Sequence, residues 1–168
     1  MPLPGRDQTF AFASCRDMLT KLEREIERYA LVDGKDVEAM KDLAFNIAVT
    51  AWHLCDWVFM DMTPQKRESL SIRSLREMCE RAFTCRALQV FRQVATASKH
   101  WTVSKRPAPD VKVVVAAVPE WSIWFEDENG ELPATEAFEQ ALSFWTAFIY
   151  QNEIGRDLDV VGEADQGP

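Results

Sequence analysis

The chain has 168 residues, 47 % of them hydrophobic, with 27 acidic against 19 basic side chains for a net charge of −8. That length suits one domain, burying about two-thirds of the surface its unfolded form would expose. Four cysteines, Cys15, Cys55, Cys79 and Cys85, form no CxxC pair and fall in apolar helical patterns, which excludes a disulfide scaffold and reads as reduced thiols of a cytoplasmic protein.

The N-terminal MPLPGRDQTF has no apolar signal core. From about residue 10 to 31, Cys15, Met18, Leu19, Leu22, Ile26 and Tyr29 recur at three and four, predicting an amphipathic helix with KLEREIER as its charged outer face and Gly34 as a left-handed exit. Asp36 can cap a second helix with Val37, Met40, Ala44, Ile47, Ala51, Leu54, Val58 and Met62 on one stripe, ending at Thr63-Pro64. Its segment LAFNIAVTAWHLCDWVFM is long enough to span a bilayer. Asn46, Thr50, His53 and Asp56 argue against it, because a mid-membrane Asp costs about 2.5 to 3.5 kcal/mol. The expectation is a buried helix and no membrane.

Residues 64–71 read as a short connection, and Ser74 with Glu77 has the spacing of a capping box. The apolar pattern from Leu75 to Ala95 is compatible with one helix or with two broken near Thr84. PAPD then breaks the chain. VKVVVAAV and the alternating WSIWFE predict two strands, DENG carries a turn signal, and ELP can add a third strand. After Thr135, Phe138, Ala141, Leu142, Trp145, Phe148 and Ile149 form the stripe of a last helix. The expected architecture is mainly α, a helical bundle with a small antiparallel β-meander at about 111–133 inserted before the last helix, one domain over 1–154, and an acidic, disordered tail over 155–168.

Charge is unevenly placed. Residues 66–112 hold eleven basic residues against four acids, +7, leaving −15 for the rest. A basic middle suggests a phosphate-binding face. The alternative is that the acidic C-terminal third neutralises it within the fold or across a dimer.

Both histidines sit in short polar clusters flanked by aromatics. Asn46, Thr50, His53 and Trp57 share a helical face, with Asp56 one turn beyond His53. In FRQVATASKHW, Arg92, Thr96 and Lys99 align, and His100 follows. Cleaving RNA without metal requires an acid, a base and positive charge at the developing phosphorane. His100 can serve as acid or base, Arg92 and Lys99 as phosphate ligands, and His53 with Asp56 as support. The bland reading makes His53 a structural residue with Asp56 as buried partner, and gives His100 a helix-dipole role. A metal reading would take ligands from His53, Asp56 and His100, but no second carboxylate pair or ExxH repeat accompanies them. P-loops, nucleophilic triads and glycine-rich dinucleotide turns are absent, so no cofactor is expected. The six tryptophans can stack bases, although core packing accounts for most.

The words WHLCDW and SKHW, with the strands and the closing ALSFWTAF helix, resemble a widespread family of bacterial and phage-associated helical proteins over roughly residues 40 to 150. That family is similar in turn to the HEPN superfamily, whose bundles often dimerise and include metal-independent RNases of toxin and phage-defence systems. The resemblance implies a homodimer, an RNA partner and possible endoribonuclease activity, or else a non-catalytic, antitoxin-like role with a protein partner. The HEPN RNase motif is an Arg, commonly with a polar neighbour, followed after four to six residues by a His. Arg92, Gln93 and His100 take those places here, with seven residues between Arg92 and His100.

Overall fold

The computed structural model describes residues 12–97, 111–117 and 120–155. Helix α1 spans Cys15–Ala30. It begins later than the apolar pattern suggested because Ser14 and Asp17 form a capping box, with Asp17 Oδ2 accepting from the Ser14 N–H at 3.0 Å. The Asp61 carboxylate also accepts from the Cys15 N–H at 2.5 Å, pinning the start of α1 to the end of α2 (Val37–Asp61). The two helices therefore run antiparallel. The exit of α1 departs from expectation. Leu31 caps the helix in right-handed geometry, and Gly34 adopts no positive φ. Gly34 matters instead for close approach, since a Cβ there would lie 3.2 Å from Glu120 Oε2.

Helix α2 starts as expected, with the Asp36 carboxylate accepting from Ala39 N–H at 3.0 Å. Its stripe from Met40 to Met62 is buried, and so are Ala48, Thr50 and Cys55 outside that stripe. This is the one helix among the described residues long and apolar enough to cross a membrane. Here it packs against α1, α4, α5 and α6.

The stretch after α2 is helical, which corrects the expected connection. Thr63 caps α3 (Pro64–Ser69) by accepting from Lys66 N–H at 3.2 Å, and Pro64 sits in the first turn, where a missing N–H is harmless. Ser71 leaves with φ 56°. The Ser74–Glu77 capping box opens α4 (Leu75–Ala82). The chain then breaks at Phe83, Thr84 and Cys85 before α5 (Arg86–Ala97), so the ambiguous run is two helices.

Strands β1 (Lys112–Ala117), β2 (Trp121–Asp127) and β3 (Gly130–Pro133) form an antiparallel meander in the order β1-β2-β3. Val113 pairs with Phe125, Val115 with Ile123, and Phe125 with Leu132. Ile123, Phe125 and Leu132 are buried and belong to the helical core. The β2–β3 turn is Glu128-Asn129, after which Gly130 takes φ 98°, the left-handed step glycine makes without strain. Helix α6 (Ala134–Gln151) follows at once. Of the expected tail, everything after Gly155 lies outside the described residues.

Trp145 of α6 is fully buried and donates its indole N–H to the Ala51 carbonyl at 2.8 Å. Trp145→Phe keeps most of the apolar volume and removes the bond, so it is expected to lower unfolding stability by about 1 to 2 kcal/mol. Urea denaturation checks this, and an unchanged midpoint would show that the bond contributes nothing net.

Candidate functional site

The site is built where α2, α4 and α5 meet. Trp52 and His53, on α2, are half-buried. Phe83 caps the end of α4, and its ring centroid lies 5.6 Å from that of Trp52. From α5 the Arg92 guanidinium lies over the same Phe83 ring, 5.4 Å from its centroid. One aromatic ring thus separates the neighbour of His53 from Arg92. A cation over an aromatic face is held there by the ring quadrupole.

The two clusters predicted from sequence are therefore brought to one region in part. His53 and Arg92 lie on helices that pack side by side. Gln93 turns the other way and is buried. Asp56 is exposed, which corrects its expected role as a buried partner of His53. Lys99 and His100 lie outside the described residues. So does Trp101.

Thr50, placed by sequence on the His53 face, has a different partner. Lys21 Nζ donates to Thr50 Oγ1 at 2.6 Å and to Glu25 Oε1 at 2.5 Å. Glu25 is only 7 % exposed, and its Oε2 is buried without a hydrogen bond among the described residues. These two residues belong to KLEREIER, which was expected to form an outer face. The helix instead turns both toward α2, where Lys21 satisfies the buried hydroxyl. Charge alone could not reveal this.

The basic middle divides in two. Arg86 is spent on the fold. Its Nε and Nη2 grip the Asp127 carboxylate at 3.0 and 2.7 Å, and Nη2 also reaches the Gly130 carbonyl at 2.8 Å. The acidic third does neutralise part of the basic segment, as the alternative held. Arg67 is likewise held, over the Phe59 ring at 4.0 Å and on the Phe59 carbonyl at 2.8 Å. Arg76 pairs with Glu80 at 2.9 Å on the surface, where such a pair is weak. Arg73, Arg76 and Arg81 are exposed on α4 and its approach, and Arg81 Nη2 donates to the Leu70 carbonyl at 3.4 Å. Lys105 and Arg106 lie outside the described residues.

Tryptophan burial is mixed. Trp145 is core, and Trp52 and Trp57 pack against it, but Trp121 is exposed. Among the described residues no three His, Cys, Asp or Glu side chains are placed to hold a metal ion. No family model, curated protein or solved structure matches the chain.

The Arg86 hydrogen bonds hold the Asp127 carboxyl below its usual range, against a smaller opposing effect of burial. A depressed folded-state pKa gives stability that is present above the ordinary carboxylate value near 3.8 and is lost as pH falls through the lower folded value. Asp127→Asn is therefore expected to be less stable than wild type at pH 6 and to lose less melting temperature between pH 5 and pH 3. Parallel acid profiles would show that the pair does not couple to folding.

Proposed function

We propose that this chain is an RNA-binding helical bundle whose α4–α5 face holds phosphates, and that it cleaves RNA without a metal, as its resemblance to HEPN RNases implies. The observation that carries this reading is the Trp52–Phe83–Arg92 stack. It sets the Arg92 guanidinium over the ring that packs on Trp52, the residue before His53, and the exposed Arg76 and Arg81 lie on the helix that ends at Phe83, with Arg73 just before its start. Arginine suits this role because its planar fork meets two phosphate oxygens at once. In the proposed reaction His100 transfers the proton at the 2′-hydroxyl or the 5′-oxygen, Arg92 and Lys99 stabilise the charge developing on phosphorus, and His53 with Asp56 tunes the site.

A specific feature favours a second reading, a non-catalytic interaction protein. Between the sheet and α2 lies an apolar cleft of about 330 Å³ lined by Phe45, Val94, Val113, Val115, Ile123 and Phe125. Val113 is 52 % exposed, and apolar surface of this kind suits a protein partner.

Two measurements separate the readings. Binding to single-stranded RNA is expected to weaken steeply with salt, and Arg92→Ala should flatten the log–log salt dependence by about 0.7, one phosphate contact on a single strand. Purified protein in EDTA is expected to cut mixed single-stranded and structured RNA, and His100→Ala, with unchanged circular dichroism, is expected not to. Salt-insensitive or absent binding, with no cleavage by either protein, would favour the interaction reading.

A further inference from the structure

The β2–β3 turn carries Asn129-Gly130, a pair whose chemistry the candidate site does not use. Both residues are exposed, Gly130 stands at φ 98°, and among the described residues a Cβ built on it would meet no atom within 4 Å. A glycine nitrogen in open space is the least hindered nucleophile the main chain can present to the side-chain amide before it. The other two asparagines lack this arrangement. Asn46 lies inside α2, where the next N–H belongs to the β-branched Ile47 and is tied into the helix. Asn152 precedes Glu153 and donates its amide to the Phe148 carbonyl at 2.8 Å.

The turn is also clasped. Arg86 Nη2 donates to the Gly130 carbonyl at 2.8 Å and to Asp127 Oδ1 at 2.7 Å, and the same Oδ1 accepts from the Asn129 N–H at 2.8 Å. One guanidinium therefore holds the backbone on both sides of the Asn129–Gly130 bond. Asp127 and Gly130 are the last pair of the β2–β3 ladder, and the end of a ladder opens before its middle.

We propose that Asn129 is a site of spontaneous deamidation to isoaspartate, and that Arg86 sets its rate by holding the turn closed. When the turn opens, the Gly130 nitrogen bonds to Asn129 Cγ. The Cγ–Nδ2 bond breaks, and ammonia leaves with the proton that the Gly130 nitrogen gives up. Water then opens the cyclic imide at either carbonyl, giving aspartate or isoaspartate. No electrons are transferred; a water is consumed and an ammonia released. In isoaspartate the main chain runs through the former side chain and is a methylene longer, which moves the Gly130 carbonyl off Arg86 and sets a new carboxylate beside Asp127. The joint between α5 and the sheet thus loosens as the protein ages. This site is independent of the RNA reading.

The test warms the full chain in mildly alkaline buffer and digests samples with trypsin over time. Peptide 113–156 is expected to gain the mass of an amide turned into an acid, with fragmentation placing the change at Asn129 and isoaspartyl methyltransferase labelling it. Arg86→Lys should convert several-fold faster than wild type, though more slowly than the chain held in urea. Asp127→Asn removes the other half of the clasp and should accelerate conversion likewise, so the guard is tested even if one variant folds poorly. Asn129→Gln should stay unlabelled. The aged protein should melt below both fresh wild type and Asn129→Asp, which carries the charge without the longer backbone. No conversion of the folded chain while the urea-held chain converts, labelling at Asp33-Gly34 or Asn152 in its place, wild-type rates in both clasp variants, or an aged protein that melts with the fresh one would each overturn the proposal.

Discussion

The enclosure of α2 is the constraint on which the rest of the molecule depends. A helix of 25 residues buried beyond a single stripe needs neighbours on several sides. It also needs a partner for every polar group it takes out of water. Four helices supply the neighbours, and Lys21 and Trp145 supply partners at Thr50 and at the Ala51 carbonyl. Asp61 completes the arrangement by capping α1. The positions of Trp52, His53 and Cys55 follow from this enclosure, because fixing the apolar stripe fixes every other azimuth of the helix.

Charge is distributed by the same economy. The basic segment and the acidic C-terminal third meet at Arg86, whose guanidinium joins the start of α5 to the β2–β3 turn. Arg92, six residues on, lies over an aromatic ring. One segment therefore contributes an arginine to the fold and another to the candidate site.

The meander closes the bundle by laying Ile123, Phe125 and Leu132 on the helical core. Its first strand is an edge of the sheet, and Val113, in register with the buried Phe125, stands open beside the cleft. Alternation alone marks one face of a strand as inward. The strand's place in the sheet decides how far that face is covered.

By itself the sequence determined the local elements. Asp36, the Ser74–Glu77 box and the periodic stripes of α2 and α6 act over four to seven residues, within reach of pattern. The meander was legible for the same reason. The reading missed α3, because Pro64 ends one helix and can equally begin the next, and it left the α4–α5 break open, because no proline or glycine marks Phe83–Cys85. The candidate site was legible only as residue types. Tertiary structure alone decided that Asp56 faces solvent, that Lys21 and Glu25 turn inward, that Arg86 is consumed by Asp127, and that Phe83 bridges Trp52 to Arg92. Each of these pairings joins different elements, apart from Asp56, whose exposure depends on what does not pack against it. Periodicity within one helix gives the direction of a side chain and carries no information about what stands opposite.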